Sequence, residues 1–488
     1  MTADLVPGGL ARACAEVRAA GSDDAVAGVA ARFVARPGDV AEAAAVMRAA
    51  ADEGLTAVPR GAGTRLAWGR PPERCDLVID TRGLNQVLEH AAGDQVVRVQ
   101  AGIGLDQLAA VLGAAGQRLA LDPPPAHLPI PLHFTGAGNG GGGTEAGNGA
   151  RAGNGARAGT VGGLLATGVA GPLRLRYGTP RDLAIGITVV RADGAVAHSG
   201  GKVVKNVAGY DLGKLFAGSY GTLGLIVEAA FRLHPLPGAT AFVTLDAADT
   251  AAAHAAVEAA ASSPLAPSAA EIDRPARQAP VRVGILLEGD PEGVAERGGR
   301  MAELLGGGVT SVAPEPPAWW GRGAAAAPDG TVIRIAFWAE ALAGVLGAVD
   351  AAASAAGLDP PVGGSAAAGV IHVAVGQDAP AAAVAGFVRD LRAALGGPAV
   401  PASPAPATTP SLAPASALAT TPTVAAELAG AGGPAPCWAS AVVLHAPAQV
   451  RAAVDLWGPV PALGLMRAVK DQFDPGHRMA PGRFAGGI

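Results

Sequence analysis

Along residues 36–64, RPGDVAEAAAVMRAAADEGLTAVPRGAGT, apolar positions recur first at helical and then at strand spacing. Asp39 is placed to cap a helix on which Val40, Ala43, Val46, Met47 and Ala50 share one face, and Gly54 ends it. Residues 55–58 read as a short buried strand, with PRGAGTRL, residues 59–66, at its end. The alternation continues downstream. CDLVIDT (75–81) and QVVRVQAG (95–102) predict strands, GLDQLAAVLGAAG (104–116) predicts a helix closed by Gly116, and LAIGITVVRADGAVAHSG (183–200) predicts a hairpin turning at Asp193-Gly194. Residues 30–236 are therefore α+β. Residues 240–395 hold strand-like VRVGILLEG and TVIRIAFWAE among alanine-rich helices, and ASAVVLHAP around His445 predicts a further strand, which together suggest a second compact α+β domain. The tail LMRAVKDQFDPGHRMAPGRF is helix-like and then turns at Asp474-Pro475-Gly476.

Two stretches break the pattern. One, between Asp122-Pro123 and Thr160, ends in GAGNGGGGTEAGNGARAGNGARAG, in which GNGARA recurs. The other runs from Pro398 to Pro422 with seven prolines. Such tracts bury too little apolar surface to offset their ordering entropy, so both are expected to be flexible surface loops.

Composition changes this picture in a few respects. The 488 residues suffice for two or three domains, but the 50% hydrophobic content is largely alanine, with 71 Gly and 40 Pro, so it overstates the core. A net charge of −5 gives no reason to expect nucleic acid or an anionic membrane. Cys14, Cys75 and Cys437 lie far apart, form no CxxC and cannot supply the four thiolates of an ordinary iron–sulfur cluster, and no metal site is indicated. The first ten residues lack the features of a secretory signal, and no uninterrupted apolar stretch reaches about 18 residues, so a cytoplasmic protein is expected.

The loop at 59–66 has almost no side-chain chemistry. At a strand end, however, successive backbone N–H groups of a glycine loop can converge on an anion. It lacks the GxxxxGK[ST] spacing of a Walker loop and does not open a helix as a dinucleotide GxGxxG does, so a phosphate cradle and a plain tight turn both remain open from this loop alone. AGTVGGLLATGVAGPLRLRYGTPRDLAIGITVVRADG (158–194) and GGKVVKNVAGYDLGKLFAGSYGTLGLIVEAAFRLHP (200–235) add glycine-bearing loops at 161–163, 168–171 and 218–224. Four such loops on one framework, with little acid–base chemistry in any, call for a large, extended ligand.

Together these stretches resemble the FAD-binding domain of the vanillyl-alcohol oxidase/p-cresol methylhydroxylase family over residues 30–236, with an echo in KDQFDPGHRMAPGRF. Within it, GGKVVKNVAGYDLGKLFAGSYGTLGLI is most similar to the FAD-binding E subunits of bacterial glycolate oxidases. The resemblance implies two α/β subdomains holding an extended FAD, over residues 1–236 with the insert at about 126–158. A cap or substrate domain would follow over 237–450, with the proline-rich loop at about 398–436, and 451–488 would return to the FAD domain. It makes Pro59, Gly61, Ala62, Gly63 and Thr64 the pyrophosphate loop. It assigns further cofactor contacts to Asp122, Thr160, Gly162 and Gly163, to Tyr177, Gly178 and Asp182, and to Gly221, Thr222, Gly224 and Ile226. FAD is expected to be noncovalent, because Thr64 follows Gly63 where covalent relatives often carry a histidine.

The chain departs from the family in two places. The insert separates halves of a usually short connection, with His133-Phe134 as a remnant of a PHFG-like sequence, and VIHVAVGQ stands where catalytic relatives carry HxGDGNxH. His372 in that segment reads as a packed core histidine, and no catalytic base is assigned. Lys202, Lys205, Asn206, Tyr210 and Asp211 fall near the flavin by the family pattern, with solvated lysines and a core tyrosine as the alternative. The expected function is an FAD-binding subunit of a glycolate oxidase-like complex, which oxidises a 2-hydroxy acid to a 2-oxo acid and passes electrons to a second flavin subunit and an iron–sulfur subunit. The complex would sit peripherally at the inner face of the membrane. A self-sufficient FAD oxidase or dehydrogenase of another hydroxy acid or alcohol and a noncatalytic electron-transfer subunit are the alternatives.

Overall fold

The computed structural model describes residues 6–123, 159–201, 210–323, 330–396 and 439–488. The glycine-rich insert, the proline-rich stretch, Cys437, His133-Phe134, and Lys202, Lys205 and Asn206 lie outside them.

Asp39 caps the helix Val40–Asp52 as its sequence implies, its side chain accepting from the Glu42 amide, and Ala43, Val46, Met47 and Ala50 are buried. They face a four-stranded sheet ordered Val17–Ala19, Phe33–Ala35, Leu77–Asp80, Ala57–Arg60, whose last three strands run parallel. The strand expected at residues 55–58 is shifted to Ala57–Arg60, because Pro59 and Arg60 continue the pairing with Ile79 and Asp80. The glycine loop therefore leaves directly from a parallel strand end. Val190, Leu225 and Val227 of a second sheet close the other side of the same core. That sheet is antiparallel, ordered Val87–Ala91, Val96–Gln100, Leu225–Arg232, Ala184–Val190, Val196–Gly200, and includes the expected hairpin, with Gly194 at φ +80°. Its opposite face packs on Leu108 and Leu112 of the helix Leu105–Gly113 and on Val161 and Leu165 of the helix Val161–Thr167.

Residues 239–445 contribute an eight-stranded antiparallel sheet, ordered Val309–Ala313, Ala239–Ala247, Val281–Gly289, Ala269–Arg274, Val362–Gly364, Val370–Val375, Thr331–Phe337, Ala439–His445. Alternate residues, among them Val283, Ile285, Ile333, Ile335, Ile371 and Val373, form the largest core with the helices Thr250–Ser262, Pro291–Leu305, Leu342–Ala356 and Ala381–Leu395. Residues 339–356 are long and apolar enough to cross a membrane by length and composition. Here Leu342, Val345, Leu346 and Val349 of that run are buried in this core. The other face of the sheet turns towards the first two sheets. Phe242, Ala269 and Leu286 pack on Leu173 there, and Arg118 grips Glu288 with both guanidinium nitrogens, at 2.7 and 2.9 Å.

The C-terminal residues cross back. The Ala57 amide donates to the Arg478 carbonyl and the Ala480 amide to the Ala57 carbonyl, so Met479 lies beside the strand that feeds the glycine loop.

Candidate functional site: a glycine-lined cleft facing a polar sheet

A cleft of about 790 Å³ of empty space, open to solvent, lies where the two small sheets meet. Residues 59–66 form one wall. The helix Val161–Thr167 and the turn at 220–224 form the others, and Arg483 reaches in from the C-terminal segment. Of the residues the sequence singled out, Pro59, Gly61, Ala62, Gly63, Thr64, Thr160, Gly162, Gly163, Gly221, Gly224 and Ile226 line it. Residues 161–163 are the first turn of a helix rather than a loop, with Thr160 Oγ1 accepting from the Gly163 amide at 3.3 Å.

Asp122, Tyr177, Gly178, Asp182 and Thr222 are not brought to this wall. Asp122 accepts from the Leu173 amide at 3.1 Å and holds the chain entering the helix Arg174–Tyr177. The Tyr177 hydroxyl donates to Glu288 at 3.0 Å and accepts from Arg118, which places its ring at the junction with the large sheet. Gly178, at φ +85°, and Asp182, which accepts from the Thr179 amide and hydroxyl, shape the following turn. Thr222 is buried, donates to the Ser219 carbonyl and offers its own carbonyl to Lys470.

The cleft also contains residues that the sequence reading passed over. The guanidinium of Arg483 is almost fully buried. Its Nη2 donates to the Leu66 and Trp68 carbonyls at 2.8 and 2.9 Å, while Nε and Nη1 have no hydrogen-bond partner among the described residues, and burial pulls its pKa down to about 10. Burial does the same to Arg65, which stacks over Trp68. Tyr220 adopts φ +56°, a geometry that costs a non-glycine residue about 1–2 kcal/mol, and its ring packs on Trp457 and Phe484.

A bound FAD fits this donor set. The amides of Ala62, Gly63 and Thr64 have no acceptor among the described residues, Gly63 takes φ +77° with open space where a side chain would project, and buried Arg483 nitrogens await an anion. An unpaired buried guanidinium is costly, so the Arg483 nitrogens facing a loop of uncommitted amides point to an anionic ligand.

The large sheet carries a second group of polar residues. His372, expected to be a packed core residue, sits on the face of the large sheet opposite the core, since its neighbours Ile371 and Val373 take the core-facing positions. Its Nδ1 is buried without a hydrogen-bond partner among the described residues; burial first, then the charges of Arg174 and Arg334, pull its pKa down to about 3, so the ring is neutral. Arg334 is its cross-strand neighbour. Glu271, on the same face, accepts from Ser365 Oγ at 2.6 Å, and burial pushes its pKa up to about 7. Period-two alternation carries the signal for these positions: Arg334 stands between Ile333 and Ile335 just as His372 stands between Ile371 and Val373. Among the described residues no cluster of His, Cys, Asp or Glu could hold a metal ion.

The family described as FAD binding domain matches residues 31–150. The chain is 33% identical over 205 residues to a protein named glycolate oxidase subunit GlcD of Bacillus subtilis, covering 42% of this chain and 37% of that one. It is 32% identical over 183 residues to glycolate oxidase subunit GlcE of Escherichia coli, covering 38% and 43%. It is 32% identical over 202 residues to a D-lactate dehydrogenase of Archaeoglobus fulgidus, covering 41% and 38%. The chain thus spans about two fifths of the length of these relatives. The fold is that of alkyldihydroxyacetonephosphate synthase, to which it is similar over 93% of this chain and 77% of that structure, with a TM-score of 0.60 at 16% identity. The chain therefore carries an FAD-binding domain of the p-cresol methylhydroxylase type, and FAD is its cofactor.

Proposed function

We propose that this protein is an FAD-linked oxidoreductase that takes a small 2-hydroxy acid, glycolate in the first instance, to the 2-oxo acid, as a subunit of a glycolate oxidase-like complex. The observation that carries the reading is the pairing of a cleft lined by the 59–66 loop and the unpaired buried Arg483 nitrogens with a polar face on the large sheet, whose Arg334 acts electrostatically on Tyr220. Bound FAD supplies the redox chemistry by accepting a hydride. The chain's residues place it: the amides of 62–64 and the Arg483 guanidinium hold the anionic part, and the Tyr220–Trp457–Phe484 aromatic cluster excludes water from one side. Binding is noncovalent, in keeping with a cleft whose described lining contains no histidine or cysteine. Residues 237–450 act as the cap that presents the substrate.

With three cysteines the chain cannot ligate an ordinary four-thiolate cluster, so its electrons leave through partners: a second flavin subunit and an iron–sulfur subunit at the inner face of the cytoplasmic membrane. Two relatives bear names of glycolate oxidase subunits, which supports an assembly. A second reading, a subunit whose FAD only relays electrons, draws on VIHVAVGQ standing where catalytic relatives have HxGDGNxH. Anaerobic mixing of the FAD-loaded chain with glycolate or D-lactate separates the two. Bleaching of the flavin is expected; flavin that stays oxidised with both acids, yet is reduced in the reconstituted complex, establishes the relay instead.

A further inference from the structure

Beside the FAD cleft lies a second cavity, of about 1040 Å³ of empty space and open to solvent. Arg70 and Pro71 line one side of it, and Ala448 with residues 451–456 the other. The wall between the two spaces is thin. Arg483 lines the cleft, and its carbonyl accepts from the amide of Arg70 at 3.1 Å. A methyl group placed on Gly69 would lie 3.4 Å from the Tyr220 ring and 3.5 Å from the Trp457 ring. Leu66 lines the cleft and Arg70 the cavity, and a chain step of four residues spans at most about 14 Å. Tyr220 and Trp457, with ring centroids 5.1 Å apart, join the cofactor cleft to the core of the large sheet, against which Trp457 packs.

This cavity is positive on a chain whose net charge is −5. Arg70 is exposed and Arg451 half-buried, and among the described residues neither side chain has a hydrogen bond or a carboxylate within ion-pair distance. Asp455 is the one acidic residue in the lining. It stands in the field of Arg392, whose guanidinium also holds the carbonyls of Asp455 and Leu456 at 2.6 and 3.0 Å. Two cations are left over. They cost little while solvated, and they supply a positive field over a concave surface that draws in negatively charged partners.

We propose that this cavity is the docking face for the electron acceptor, an iron–sulfur protein with an acidic surface, and that electrons leave the cofactor cleft across the wall of Tyr220 and Trp457. The proposal rests on the reading of the chain as a redox subunit served by partners, and it assigns the face that the acceptor uses. Substrate oxidation delivers a hydride, which is two electrons with one proton. Each of two oxidised acceptor molecules then takes one electron and is reduced by it, and the proton goes to solvent. Redox encounters of this kind need only a small patch, and charge supplies orientation and rate in place of area.

The test uses the full-length, FAD-loaded chain, reduced anaerobically with stoichiometric dithionite so that no hydroxy acid is involved. It is mixed in a stopped-flow instrument with rubredoxin, a small acidic protein carrying one thiolate-bound iron, and its flavin absorbance is followed. Neutral benzoquinone and the small trivalent anion ferricyanide are the comparison oxidants. Oxidation by rubredoxin is expected to slow as salt rises. The Arg70→Glu/Arg451→Glu protein is expected to react with it about tenfold to a hundredfold more slowly at low salt, with unchanged FAD content and an unchanged rate with benzoquinone. Arg70→Gln/Arg451→Gln is expected to fall between, and it carries the test where the charge-reversed protein does not fold. A rubredoxin rate that ignores both pairs of substitutions overturns the proposal, as do equal slowing with benzoquinone and failure of rubredoxin to oxidise the wild type. Slowing confined to ferricyanide overturns it too, since the cavity would then be a site for small anions alone. Failure of the hydroxy-acid reading looks different: the charge-dependent oxidation stands, yet glycolate and D-lactate leave the flavin oxidised.

Discussion

A methyl group placed on Gly61 would lie 2.1 Å from Oγ1 of Thr160, so the glycine loop and the residue capping the helix Val161–Thr167 touch at the floor of the FAD cleft. Gly61 is glycine because of that approach. Gly61→Ala must push the two walls apart, at about 1–3 kcal/mol of stability and a marked loss of FAD affinity. Thr160→Ala alone removes the bond to the Gly163 amide, at about 1 kcal/mol. The double variant is expected to bind FAD better than Gly61→Ala, because the clashing oxygen is gone. Fluorescence titration with FAD checks the order, and simple addition of the two single losses would count against the contact.

Gly63 differs in kind: no atom lies within 4 Å of an added Cβ, but φ is +77°. Gly63→Ala therefore tests backbone strain alone, at about 1–2 kcal/mol. Gly63→Val adds a branched side chain in the space a phosphate would occupy, so it should lose FAD far more severely than alanine at comparable folding by circular dichroism. Equal FAD affinity in the two would show that the open space beside Gly63 is not ligand space.

The sequence made the first half of the site readable and left much of the second hidden, for identifiable reasons. Gly61 and Gly163 were legible because Thr160 comes close to them, and Gly63 and Gly221 because they take positive φ. Asp39 and the Asp193-Gly194 turn were legible because capping and turn chemistry are local. Arg483 was not, since nothing local distinguishes a guanidinium that folds back 417 residues to the Leu66 carbonyl from a solvated one. Nothing local announced that Tyr177 would bond to Arg118 and Glu288, which are 59 and 111 residues away. His372 is buried, as its apolar neighbours suggest, but strict alternation puts it on the sheet face opposite Ile371 and Val373.

Glu271 makes stability depend on pH. Its usual pKa of 4.5 is pushed up to about 7 by burial, against the opposing hydrogen bond from Ser365 and the positive field of Arg174. The folded state therefore binds the proton more tightly than the unfolded chain. The resulting stabilisation is complete below pH 4.5 and is lost as pH rises through about 7, an amount on the order of 3 kcal/mol. Glu271→Gln should flatten that fall in urea-denaturation midpoints across the window and leave the variant relatively more stable at alkaline pH. A wild-type decline of the same size in the variant would assign it to other groups.

The Lys470 ammonium, fully buried on the helix Leu463–Phe473, joins the two sides of the cofactor cleft. It donates to the Thr222 carbonyl at 2.7 Å, beside the Gly221–Gly224 turn, to Asp474 Oδ2 at 2.7 Å, and to the Met479 carbonyl at 2.9 Å, beside the strand that carries Pro59. Burial pulls its pKa down while Asp474 holds it up, so the pair stands or falls together. Lys470→Met leaves the Asp474 carboxylate buried without its cation and should cost about 3–5 kcal/mol, while freeing the Thr222 carbonyl and weakening FAD binding. Adding Asp474→Asn removes the stranded charge and keeps an acceptor for the Met479 amide, so the double variant should regain much of the stability. FAD affinity should stay low in both, because neither variant restores the bond to Thr222. Urea unfolding and FAD titration on the same three proteins separate the two effects, and full recovery of FAD affinity in the double variant would show that the ion pair maintains the fold without positioning the turn.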